Sequence, residues 1–368
     1  MFGPSVTSAT NVLTASGFLR ETEQALADHG RRDSKQKVFC NATLIIMIVL
    51  AMTFLTAQAQ QPTSPSAGLR QSLDDAWWTG PMLAPSANTL PQGHFLIEPY
   101  LYDVTTQGFY NSSGTRVSAP HENSFGSLTY ALYGVANKFT VGMIPTFGYN
   151  EVSDSSDSAG IGVGDLTLQA QYRLHLFREN SWIPTMSIAV QETLPTGRYD
   201  QLGNRPSDGF GAGAFTTTPA FYSQTFFWLP NGRILRMRFN VAPSFSRRAS
   251  IQDVSVYGTS AGFRGQASPG PSVFVDAAWE YSVTKHWVLA LDATYRHQEN
   301  TPVTGYNISD PTQPVRLNSG SADAFGLAPA IEYNWKSNIG VLVGARVIPA
   351  GRNTALTITP AIAINFVH

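Results

Sequence analysis

Residues 166 to 176 read LTLQAQYRLHL, and the two parities of this stretch have opposite character. Leu166, Leu168, Ala170, Tyr172, Leu174 and Leu176 are apolar, whereas Thr167, Gln169, Gln171, Arg173 and His175 are polar. A β-strand points successive side chains to opposite faces, so the segment has one apolar face and one polar face. Soluble strands usually run about 5 to 6 residues, while a tilted strand needs roughly 9 to 11 to cross a bilayer. Eleven residues of strict alternation fit the second case. If the apolar face meets lipid, the rest of the chain must supply enough similar strands to close a barrel.

Composition is consistent with that demand. Charged residues make up 13% of the 368-residue chain, where soluble domains carry roughly 25%. Mean hydropathy is nevertheless only -0.09. A barrel with a lipid-facing apolar band and a polar interior produces this combination. The formal net charge of -1 leaves no basic footprint for nucleic acid.

At the N-terminus, Arg31, Arg32, Lys35 and Lys37 precede the apolar run ATLIIMIVLAMTFL, and Ala57-Gln58-Ala59 follows. These are the three parts of a secretory signal peptide cleaved before Gln60. Cys40, the single cysteine, precedes the cleavage point, so the mature chain has no disulfide and no thiol chemistry. The chain therefore divides into residues 1–59 (extension and signal peptide), 60–92 (leader or periplasmic segment) and 93–368 (barrel). The leader begins with the flexible QQPTSPSAG and continues through Trp77 and Trp78. Plugging the lumen, packing at the periplasmic mouth and staying mobile are all compatible with its sequence.

From Gly93 onward the patterning predicts twelve strands, at 93–103, 122–134, 139–150, 162–176, 182–194, 213–228, 233–247, 270–283, 286–297, 322–335, 338–349 and 353–366. Twelve is even, as bacterial single-chain barrels require. Short connections (around VANK, FRENS, LPNGR, TK and KS) alternate with long ones at 104–121, 151–161, 195–212, 248–269 and 298–321. The tight AGR turn before the last strand is the exception. Short periplasmic turns and long outer loops are a barrel signature, which places both termini in the periplasm.

Parity alone does not say which face is inside. Strand seven sets Leu235, Met237, Phe239 and Val241 against Arg236, Arg238 and Asn240, and strand nine sets Trp287, Leu289 and Leu291 against Asp292, Thr294 and Arg296. Aromatic residues decide the question, because Tyr133 and Phe139, Phe177 and Trp182, Phe227 and Trp228, Tyr281 and Trp287, and Tyr333 and Trp335 bracket the short turns. Such rings favour the membrane interface. The fold expected is an all-β, transmembrane, antiparallel up-and-down barrel of about twelve strands. Pro99, Pro145, Pro184, Pro219, Pro243, Pro329 and Pro360 fall on the apolar parity inside these strands and predict bulges or bends there.

Catalytic patterns are weak. His94, His121, His175, His286, His297 and His368 are scattered without metal-ligand spacing. The loop EVSDSSDSAG, with Glu151, Asp154 and Asp157, reads as a solvated outer loop in preference to a Ca²⁺ site. No cofactor, metal or enzyme activity is expected. What remains are polar residues of the luminal parity: Glu98, Gln169, Gln171, Arg173, His175, Arg236, Arg238, Asp276, Glu280, Asp292, Arg296, Glu332 and Arg346. They are candidates for lining a lumen, either filling it with paired charges or selecting solutes by charge and width. Arg236 and Arg238 are the first candidates for a constriction.

The segment GVGDLTLQAQYRL, Gly162 to Leu174, resembles the signature of outer-membrane transporters grouped as the MetA-pathway of phenol degradation family. WTGPMLAPSANTLPQGHFLIEPYLY, Trp78 to Tyr102, is similar to the opening of members of that family. The resemblance implies a Gram-negative outer-membrane barrel that passes small solutes, aromatic or hydrophobic compounds among them. No ligand residues carry over from it. The ending departs from the common barrel pattern, since Val367 and His368 follow Phe366. Passive uptake of small solutes is the function expected, with outer-membrane lipid and the barrel-assembly machinery as partners. A surface-binding or structural barrel with a blocked lumen is the alternative, and an outer-membrane hydrolase the third.

Overall fold

The structure is a computed structural model that describes residues 70–153, 155–179 and 181–368. The signal peptide and Asp154 lie outside the described residues. The luminal wall is made by Phe95–Tyr110, Glu122–Ala136, a third strand in two pieces (Phe139–Ile144 and Thr146–Val152), Leu166–His175, Thr185–Leu194, Thr216–Trp228, Ile234–Ser246, Ser272–Ser282, Trp287–Gln298, Ala322–Lys336, Ile339–Arg352 and Thr354–Val367. These twelve strands are called first to twelfth below. Each pairs antiparallel with the next, and the first pairs with the twelfth from Leu96↔Val367 to Tyr110↔Thr354. Closure leaves the wall without an edge, which is the condition for a sheet surrounded by hydrocarbon.

Exposure follows parity. On the fourth strand Leu168 is 42% exposed and Thr167 only 8%. Leu101, Met143, Ile188, Leu289, Val343 and Ile364 likewise face outward, while the alternate positions are buried. The apolar face therefore points away from the lumen, as a lipid-facing surface must. At the short-turn end the Trp287 and Tyr333 rings lie 4.6 Å apart, and Trp335 meets Tyr333 edge-on at 5.5 Å.

Two expectations need correction. The strand prolines do not bulge the ladder, because Val190↔Pro219, Pro243↔Val273, Leu291↔Pro329 and Ala345↔Pro360 sit in unshifted registers. A proline without N–H still offers its carbonyl, so the pair loses one bond without slipping. Pro145 does interrupt the third strand, Pro184 precedes the fifth, and the register shifts fall elsewhere, for example between Thr106 and Gly108. The residues flanking Pro329 and Pro360 on the inward parity are small: Ala328, Ala330 and Ala361.

The long outer connections are also more ordered than plain loops. Ala249–Gln252, Phe263–Ala267, Pro302–Asn307 and Asp310–Asn318 form a separate four-stranded antiparallel sheet. Ile251, Phe263 and Val303 pack with Leu202 and Ala214, which come from the connection between the fifth and sixth strands. This cap has its own apolar core. Its strands are short, and Gly265 pairs with Gly305 beneath the Phe263 ring, so periodicity in the sequence is faint.

Candidate functional site

The inner half of the lumen is occupied by the chain's own residues 76–92. Their backbone polar groups have no strand to pair with and are satisfied by side chains of the wall. The amides of Thr79 and Gly80 donate to Glu332 Oε2 at 2.7 and 3.1 Å. Those of Met82, Leu83 and Ala84 donate to the Asp292 carboxylate at 3.0, 3.3 and 3.0 Å. Where the segment turns its carbonyls to the wall, the wall supplies donors. Arg238 Nη1 donates to Ala84 O at 2.7 Å, Asn240 Nδ2 to Pro85 O at 3.0 Å and Gln171 Nε2 to Ser86 O at 3.0 Å. The Ser187 hydroxyl donates to Ala87 O, and the Leu90 amide donates to Thr140 Oγ1 at 2.9 Å. A buried polar group left unpaired costs about 1 to 3 kcal/mol, so this matching is what makes an irregular segment tolerable inside a barrel.

Shape matches as well. Met82 and Leu83 pack against Leu128 and Leu342 and over Ala290, Ala328 and Ala330. A Cβ on Gly344 would lie 2.4 Å from Met82 Cε, and one on Gly134 would lie 2.0 Å from Pro91 O. Gly134→Leu is therefore expected to unseat the segment while leaving the wall closed, because the three atoms nearest that Cβ all belong to Leu90 and Pro91. Limited proteolysis of the folded variant should then cut within residues 76–92, and protection equal to wild type would show that the fit does not depend on Gly134.

Near the periplasmic mouth, Glu280 sits between two cations. Arg236, its register partner, pairs with it bidentately, and Arg238 Nε lies 3.1 Å from Glu280 Oε2. The Arg236 guanidinium also covers the Trp78 ring at 4.4 Å. Trp77 packs edge-on against His286 at 4.8 Å, and Lys285 lies 5.0 Å from the Trp77 ring.

The candidates from the sequence thus divide by depth. Gln171, Arg238, Asp292 and Glu332 touch the inserted segment, and Arg236 and Glu280 support its entry. Gln169 accepts from Gln191 at 3.3 Å. Arg173 and His175 sit at the periplasmic end of the fourth strand, where His175 Nδ1 is 2.9 Å from Pro184 O. Asp276 is the register partner of Asn240, Arg346 lies over Gly326, and Arg296 lines the cavity farther out. Asn240, Ser187 and Thr140 are not among the candidates from the sequence, since short neutral side chains of the luminal parity look like filler until a partner chain is placed opposite them. Glu98 is buried among the luminal tyrosines Tyr100 and Tyr130.

Above the segment is a cavity of about 130 Å³ with Thr193, Ser244, Tyr257, Arg296, Gln298 and Asp323 in its lining. Asp323 accepts from Arg352 Nε at 2.8 Å and Tyr295 Oη at 2.7 Å, and lies 2.8 Å from His297 Nδ1. Asp165, also in the lining, accepts the amides of Gly197 and Ala212 at 2.9 and 2.8 Å. Burial pushes its carboxyl up to about 6 while those amides pull it back. Asp157 of the acidic outer loop accepts the Val152 amide at 2.9 Å in a local turn. Among the described residues, no three His, Cys, Asp or Glu side chains are grouped to hold a metal ion.

Comparison with solved structures supports the fold. The COG4313 outer membrane channel from Pseudomonas putida F1 superposes with a TM-score of 0.61 at 16% identity, over 78% of this chain and 100% of that one. The NanC porin gives a TM-score of 0.39 at 10% identity, over 73% and 98%. The transport unit of the autotransporter AIDA-I from Escherichia coli gives 0.40 at 12% identity, over 77% and 92%. The first of these superpositions shows that the chain shares that channel's barrel fold. No curated protein matches it significantly. A family model described as "Putative MetA-pathway of phenol degradation" matches residues 99–359, well over half of the sequence, and the chain belongs to that family.

Proposed function

We propose that this protein is a passive outer-membrane channel for small solutes whose lumen is occupied, in the conformation described, by its own residues 76–92. One observation carries the reading: the obstruction is a separate segment held by hydrogen bonds and small-residue packing, and the wall behind it is polar. Wall residues that merely filled a structural barrel would pair with one another. Here Asp292, Glu332, Gln171 and Asn240 spend their hydrogen bonds on the segment. The reading includes no catalytic step, and aromatic or hydrophobic solutes are the class suggested by the family.

Single-channel recording tests it. Refolded protein lacking residues 60–92 is expected to show larger and longer-lived conductance steps than the full mature chain. Absence of steps in both proteins would sink the channel reading. It would favour the alternative, a surface-binding barrel, to which the folded outer cap with its own core lends support.

A further inference from the structure

The cavity above the inserted segment lies where the wall meets the outer connections. Thr216, Ser244, Ser246 and Ser272 reach it from the sixth, seventh and eighth strands, and Thr301 and Ser319 from the connection between the ninth and tenth. Its charged members are already engaged. Asp323 accepts from Arg352 and Tyr295 and lies beside His297, Asp165 accepts the amides of Gly197 and Ala212, and Arg296 is not free either. An ionic ligand would shed its hydration here and find no uncommitted counter-charge, which disfavours its burial.

The hydroxyls differ. Thr216 Oγ1 and Ser246 Oγ lie 2.8 Å apart, and Thr218 Oγ1 donates to Ser244 Oγ at 2.8 Å. One hydrogen joins each pair of oxygens, so the accepting hydroxyl keeps its own O–H for another partner and turns about its C–O bond to suit it. Ser244 is such an acceptor, and so is one of Thr216 and Ser246. Ala212, Pro269, Ala322 and Ala324 put small apolar surfaces between the hydroxyls. The volume, about 130 Å³, is close to the roughly 150 Å³ of an apolar cavity that holds benzene, which sets a ligand of about six to eight heavy atoms.

We infer that the outer cavity is a binding step for small neutral solutes carrying several hydroxyl groups, of the size of a four-carbon polyol, and that it turns away carboxylates of that size. The rotatable hydroxyls of Thr216, Ser244 and Ser246 donate or accept as the hydroxyls of such a ligand require, and its C–H faces meet the alanines and Pro269. The inference rests on the channel reading for its role in permeation, but the site itself can be tested without current flow.

The test is a ligand-observed NMR titration of the refolded mature protein, with empty micelles subtracted, using three probes on one carbon chain. Erythritol carries four hydroxyls, erythronate ends in a carboxylate, and butane-1,4-diol lacks the two inner hydroxyls. Erythritol is expected to bind about tenfold more tightly than erythronate and severalfold more tightly than the diol. Thr216→Val combined with Ser246→Ala, which removes one hydroxyl pair and nearly keeps the shape, should weaken erythritol severalfold and leave the diol within twofold. Ser244→Leu, which fills the space, should abolish erythritol binding; where it does not assemble, the double variant decides alone. Erythritol bound no better than the other two by the wild-type protein, or binding that survives these substitutions, overturns the inference. A barrel that prefers erythritol but never conducts would refute the channel and keep the polyol site. One that conducts without the preference would do the reverse.

Discussion

Replacing Glu280 with glutamine should destabilise the folded barrel by about 3 to 5 kcal/mol, the usual cost of removing one member of a buried ion pair. The side chain is 0% exposed, and Arg236 and Arg238, at 8% and 5%, have it as their shared carboxylate. Glutamine keeps the volume and one acceptor oxygen but removes the charge, leaving two guanidiniums facing each other in a poorly hydrated site. Arg238 also donates to Ala84 O, and Arg236 lies over Trp78, so the disturbance should spread to the inserted segment before the wall opens. Urea unfolding in detergent micelles, read by tryptophan emission, would measure both events. A midpoint unchanged from wild type would show that water already screens the triad. Arg236→Met should cost less, because Glu280 keeps Arg238 at 3.1 Å and the apolar stem can still cover Trp78.

How much of this was legible in the sequence depends on whether an interaction has a period. The wall has one. Leu168 against Gln169, or Leu289 against Asp292, repeats the two-residue alternation that any strand must show, and loop length marks which end is outside. The inserted segment has none. TGPMLAPSANTLP carries no alternation because its partners are side chains of seven different strands, so its placement becomes visible only when Asp292 and Glu332 are seen to lie opposite its amides. A trace did exist: Ala328, Ala330, Ala361 and Gly344 are unusually small for luminal positions, as a wall that must admit a second chain requires. The outer sheet escaped for a different reason. Its strands are four to nine residues long and interleave from two loops, so the pairing of Phe263–Ala267 with Pro302–Asn307 is non-local and leaves no local signature. Arg236 and Arg238 were recognisable as luminal but not as a shared pair on Glu280, since that depends on the register of the seventh strand against the eighth.

Leu168→Arg and Gln169→Arg are adjacent substitutions with opposite expected outcomes. Both place the same guanidinium near the middle of the ten-residue fourth strand, and neither disturbs its backbone ladder, where Leu168 pairs with Met143 and Glu192, and Gln169 with Gly142 and Gln191. What differs is the solvent that each side chain meets. Leu168 stands on the exposed apolar face with Tyr172, Leu174, Ile188 and Val190 around it. A cation at the lipid midplane of a barrel costs about 2 to 4 kcal/mol, enough to shift most of the population away from the inserted state. Gln169 looks into a lumen that already holds arginines and carboxylates, where the new charge finds polar neighbours. The fraction folded into lipid vesicles, read from the heat-modifiable shift of the barrel on gels, should fall severely for Leu168→Arg and stay close to wild type for Gln169→Arg. Equal folding of the two would mean that the polar face is the one turned to lipid. The assignment of the luminal residues, and the seat of the inserted segment with it, would then be lost.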